Sequence, residues 1–107
     1  MNSDQIAPND FQIRVEQRLS AVLSDIGRTV DNRKVQRVEP TFYSRQPEIV
    51  VFIVASDLKV WIHENTVSFE VSGKGDYYEM PDYQSADALA DAFLTALTTR
   101  LREPGQG

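Results

Sequence analysis

The run Glu48-Ile49-Val50-Val51-Phe52-Ile53-Val54-Ala55 constrains this chain most, because a strand with apolar side chains on both faces must be covered on both of them. Pro47 bounds it on one side and Ser56-Asp57 on the other, which fits a central strand eight residues long. The rest of the chain supplies two amphipathic helices, enough to cover one side of a sheet. The second side is therefore the lead to function.

In the first helix, Phe11, Val15, Leu19, Val22, Leu23 and Ile26 recur at spacings of three and four and form one buried stripe. Asn9 or Asp10 can cap its start, and Gly27 suits the left-handed residue that ends a helix. Arg14, Glu16, Gln17, Arg18 and Asp25 fall on its wet face. The last helix begins at Ser85, places Asp87 and Asp91 near its positive end and Arg100 and Arg102 near its negative end, and buries Ala86, Leu89, Ala90, Phe93, Leu97 and Leu101. Residues 1–8 and 103–107 are expected to fray, the second because Pro104-Gly105 cannot continue a helix.

The turns set the strand register. A two-residue loop at Glu64-Asn65, with Asn65 at positive φ, pairs His63 with Thr66, Ile62 with Val67, Val60 with Phe69 and Lys59 with Glu70. A loop at Ser56-Asp57 pairs Ala55 with Leu58, Ile53 with Val60 and Phe52 with Trp61. An edge strand over about 34–43, containing Pro40, joins through Ser44-Arg45-Gln46-Pro47, so that Phe42 meets Ile49 and Glu39 meets Phe52. A last strand, about 76–80, follows a four-residue turn containing Gly73-Lys74-Gly75 and points Tyr78 and Met80 inward. The predicted fold is a single α+β domain, 1–107: helix, antiparallel meander of four or five strands, helix, with both helices on one face of the sheet.

Alternation then sorts the side chains. The helix side collects Val38, Phe42, Ile49, Val51, Ile53, Leu58, Val60, Ile62, Val67, Phe69 and Val71. The other side centres on Val50, Phe52, Val54 and Trp61, with His63, Arg37, Glu39, Thr41, Lys59, Thr66, Ser68 and Glu70 around them. An apolar centre inside a polar rim is the anatomy of a protein interface, and Trp is enriched at binding hot spots. Val50, Phe52, Val54, Trp61 and His63 are accordingly the candidate interface.

Composition removes several other classes. The chain of 107 residues has no cysteine and one histidine, which excludes disulfides and thiolate metal sites. A net charge of -5 argues against a general nucleic-acid binder. No apolar run approaches the ~18 residues of a membrane span, and Met1-Asn2-Ser3-Asp4-Gln5 lacks the basic and apolar segments of a secretory signal, so a cytoplasmic protein is expected. The charge is also uneven. Arg28, Arg33, Lys34, Arg37 and Arg45 outweigh Asp31 and Glu39, whereas Asp76, Glu79, Asp82, Asp87 and Asp91 stand in a stretch without Lys or Arg.

Those acids, interleaved with Tyr77, Tyr78 and Tyr83, suggest an alternative role over 76–91, docking of a basic partner such as a toxin that the protein neutralises, with Tyr77 in the epitope. Asp76, Glu79 and Asp82 match no calcium-loop spacing, and no metal or other cofactor is assigned. No catalytic residue is assigned either: alternation sets Glu64 and His63 on opposite faces, the serines lack a nucleophile-elbow context, and Gly73-Lys74-Gly75 reads as a hairpin turn rather than a phosphate loop. A third reading is a ligand pocket between helices and sheet, lined by Tyr43, Tyr78 or Tyr83. The favoured reading is a non-enzymatic interaction module, self-associating or holding another protein through the open sheet face.

Overall fold

The computed structural model describes residues 7–40 and 46–102. Helix α1 spans Asp10–Asp25, strands β1 to β5 span Asn32–Val38, Glu48–Ala55, Leu58–Ile62, Thr66–Val71 and Lys74–Glu79, a 3₁₀ turn covers Met80–Asp82, and helix α2 spans Ala86–Arg102. The five strands form one antiparallel sheet in the order β1-β2-β3-β4-β5. Both helices pack on the same face of it.

The ends of α1 follow from local chemistry. Asn9 and Gln12 form a reciprocal capping box, each side chain accepting from the other's backbone N–H. At the far end Gly27 has φ 75°, its N–H donates to Ser24 O, and Arg28 N–H donates to Leu23 O, the paired bonds of a Schellman stop. Ile26 is the cap residue itself and is 40% exposed, so it leaves the buried stripe to which its spacing assigned it. Ser85 caps α2 by accepting from Ala88 N–H.

The central pairings are those the turns predict. Phe52 faces Trp61, Ile53 faces Val60, Val60 faces Phe69 and Lys59 faces Glu70. Ser56 bears the positive φ of its loop at 60°. At Glu64-Asn65, by contrast, Asn65 is not left-handed; that loop is held instead by Asn9 Nδ2 donating to Glu64 O and by Met80 N–H donating to Asn65 O. The β4–β5 loop is Ser72-Gly73, both at positive φ, and so two residues long rather than four. Gly75 lies in β5, where a Cβ would sit 2.1 Å from Phe69 O. The change in loop length is even, so Tyr78 still points inward, opposite Val67.

The edge strand departs from expectation. Ile49 pairs with Arg37 and Phe52 with Lys34, so β1 lies earlier in the chain than the predicted 34–43 segment. Because the slip is odd, every face assignment in β1 inverts. Val35 opposes Val51 on the helix side, where Arg33 forms an ion pair with Glu16 of α1, while Lys34, Gln36 and Val38 move to the open face. Glu39 and Pro40 follow the strand, and Thr41, Phe42, Tyr43, Ser44 and Arg45 lie outside the described residues. The predicted frayed ends also lie outside them, apart from Ala7 and Pro8.

The core sits between helices and sheet. Val51, Ile53, Leu58, Val60, Ile62, Val67 and Phe69 meet Val15, Leu19 and Leu23 of α1 and Leu89, Ala90, Phe93, Leu94 and Leu97 of α2. Gln12 is buried among them with 0% exposure. Its Nε2 donates to Ile49 O at 2.7 Å and to Ile62 O at 2.9 Å, where the β2–β3 ladder ends, and the Glu64 carboxylate takes Ile49 N–H at 2.8 Å. One helix side chain thus completes the hydrogen bonding of two strands.

Replacing Gln12 with Leu is expected to lower stability by about 1–3 kcal/mol, since two carbonyls lose their donor. Gln12→Glu should cost more at neutral pH, when a carboxylate would face those carbonyls; urea midpoints of both variants check this. A second prediction concerns Asp57, which accepts from Arg28 and Ser72 Oγ, at 2.9 and 2.8 Å. Those bonds hold its pKa below the ordinary carboxylate value. A depressed folded-state pKa gives stability that is complete above the unfolded value and is lost as pH falls from there through the folded value. Wild type should therefore lose more stability than Asp57→Asn when acid unfolding is followed below about pH 4.

Candidate functional site

The face opposite the helices is built by alternation across all five strands. One row runs Lys34, Phe52, Trp61, Ser68, Tyr77, each residue the register partner of the next. A second runs Asn32, Val54, Lys59, Glu70, Gly75. Toward the other end, Gln36 opposes Val50 and Thr66 opposes Glu79, with His63 beside Thr66.

Aromatic surface dominates the first row. The rings of Phe52 and Trp61 lie 5.4 Å apart and tilted by 32°, both half-buried. Tyr77 is 61% exposed. Its hydroxyl donates to Glu79, two residues along the same strand, at 2.5 Å, which orients the phenol and, by stabilising the neutral form beside a carboxylate, raises its pKa above the ordinary tyrosine value.

The five candidate interface residues differ in what they offer. Phe52, Val54 and Trp61 are half-buried, but Val50 is already only 2% exposed and contributes almost no accessible area. His63 Nδ1 lies 3.2 Å from Glu48 on the neighbouring strand. The adjacent Glu64 turns instead to Ile49 N–H. Of the predicted rim, Lys59, Thr66, Ser68 and Glu70 are on this face, Arg37 is on the helix side, Glu39 lies beyond β1, and Thr41 is outside the described residues.

The acidic set is divided: Glu79 and Asp82 lie near Tyr77, while Asp76, Asp87 and Asp91 are paired with arginines. Asp76 faces the helices and pairs with Arg100 at 3.4 Å, whereas Glu79 points to the open face and Asp82 stands exposed in the 3₁₀ turn. Asp87 lies 3.0 Å from Arg14 and 3.2 Å from Arg18, and Asp91 pairs with Arg18 as well. These are bonds between α1 and α2, formed by residues that helical spacing alone assigns to wet faces. Tyr77 stands at the end of the aromatic row and beside two of the acids, bonded to Glu79 and near Asp82, a placement that alternation from Ser68 across the Ser72-Gly73 turn carries.

Around Tyr78, one of the three tyrosines proposed to line a ligand pocket, aromatic rings fill the space between helices and sheet. Tyr78 stacks on Phe69 at 6.4 Å, meets Phe93 edge-on at 6.2 Å and Tyr83 at 6.5 Å; Tyr43 lies outside the described residues. Among the described residues no buried side-chain nitrogen or oxygen lacks a partner, no three His, Asp or Glu side chains are grouped to hold a metal ion, and no helix is long and apolar enough to cross a membrane. Compared with protein-family models, curated proteins and solved structures, the chain matches none.

Glu79→Gln is expected to bring the Tyr77 phenol back toward the ordinary tyrosine range. Alkaline titration of tyrosinate absorbance, taken as the difference from Tyr77→Phe, would show it; an unmoved titration would mean that the 2.5 Å bond does not persist in solution.

Proposed function

We propose that this protein is a non-enzymatic interaction module whose working surface is the sheet face opposite the helices. The observation that carries the reading is the aromatic row Phe52, Trp61, Tyr77, laid across a face that neither helix covers. Tyr and Trp offer large contact area at low cost in side-chain entropy. The residues around them, Lys34, Lys59, Ser68, Glu70 and Glu79, are polar, as at the rim of an interface. The acidic region 76–91 supports docking of a basic partner less well, because an incoming cation would compete with Arg14, Arg18 and Arg100 for Asp87, Asp91 and Asp76.

Hydroxyl-radical footprinting tests the reading directly. Phe52, Trp61 and Tyr77 should be labelled freely in dilute purified protein and shielded at high concentration or in native extract. A variant carrying Trp61→Arg and Phe52→Glu should lose the shielding at Tyr77. Equal labelling of the wild type under all conditions would overturn the proposal.

A further inference from the structure

The open face is unlike in its two halves. The β1–β2 half carries a cation and bulky apolar groups, Lys34, Phe52 and Val54, its one acid, Glu48, lying at the far end of β2 against His63; the β4–β5 half carries small and acidic groups, Ser68, Glu70 and Glu79, with Tyr77 at its edge. Trp61 stands between them on the middle strand. We infer that this face pairs with the same face of a second copy of the chain, about a two-fold axis running along β3, an inference that rests on the reading of the face as an interaction surface.

Symmetry makes the partner assignments definite. Rotation about an axis parallel to the strands lays β1 of one copy over β5 of the other and β2 over β4, while each row faces itself. Lys34 then lies on the Tyr77 ring of the second copy, next to the Glu79 carboxylate that holds the ring's hydroxyl. Phe52 projects onto Ser68, large against small, and Trp61 meets Trp61 at the centre. Each contact between unlike residues occurs twice.

Lys59 meets its own equivalent at one end of the face. It is exposed there, and Glu70 flanks it on its own strand pair and, one strand over, from the second copy. An axis running across the strands gives a poorer match. It would set Lys34 on Lys34 and Tyr77 on Tyr77, a like-charge contact with no acid in the row.

The assembly is an aligned β-sandwich with the two sheets about 10 Å apart. Five strands at ~4.8 Å spacing and about six residues long bound the footprint at roughly 500 Å² per copy, with little added over Val50, which is 2% exposed. That is at the small end of specific interfaces, so association in the micromolar range is expected.

Reciprocal charge reversal tests the geometry. Wild type should sediment as a dimer at about 10–200 µM, and Lys34→Glu or Glu79→Lys alone should each weaken it about tenfold or more, because each creates two like-charge contacts. An equimolar mixture of the two variants should recover a dimer. In the mixed pair the carboxylate introduced at position 34 of one copy meets the ammonium introduced at position 79 of the other, and the second contact keeps the native Lys34 against the native Glu79. Recovery also demonstrates that both variants are folded. A monomeric wild type across that range would overturn self-pairing, and so would a dimer that ignores both reversals or a mixture that fails to recover. Shielding of Trp61 and Tyr77 in extract is a separate readout: if it persists with a monomeric wild type, the interaction face stands and only its occupant was wrong.

Discussion

Strict alternation of side chains along a β-strand is the constraint on which everything else in this protein depends. One pairing sends a whole strand inward or outward, because a slip of a single residue exchanges the faces. The row Ile53, Val60, Phe69 sets that parity for the middle of the sheet, and its apolar groups share one core with Leu19, Leu23 and Phe93. Once it is set, Phe52, Trp61 and Ser68 have no choice but the opposite side. The candidate surface is thus a consequence of the core.

The helices are attached by more than their apolar stripes. Arg14 and Arg18 reach across from α1 to Asp87 and Asp91 on α2, and Arg33 reaches from β1 to Glu16. Such partly exposed pairs add little stability each, yet they orient the helices and occupy acids that would otherwise face solvent. Gln12 acts differently. It enters the core with its side-chain amide hydrogen-bonded at both ends and closes the end of the β2–β3 ladder, so that α1 and the sheet share one buried polar junction.

The legible parts of the fold are those governed by near neighbours. The loop at Ser56-Asp57 and the matched residues around it determine the β2–β3 register, and Asn9, Gly27 and Ser85 mark helix ends through bonds to residues a few positions away. The edge strand is not legible in this way, because its partner is reached through the 39–47 connection, across which turn geometry imposes no parity. Arg33 and Val35 decide it by what they meet, Glu16 and Val51. The same limit hides Lys34 from the open face.

From the sequence alone come the α+β architecture, the central meander and the aromatic pair Phe52–Trp61, because each follows from periodicity and short turns acting over a few residues. Tertiary structure alone decided that Gln12 is buried, that Asp87 and Asp91 belong to a helix–helix junction, and that Lys34 and Tyr77 stand at opposite ends of one row. Each of those is a meeting of residues distant in the chain, and such meetings are set by which arrangement satisfies buried polar groups and charges together with the apolar core, a condition that no local pattern encodes.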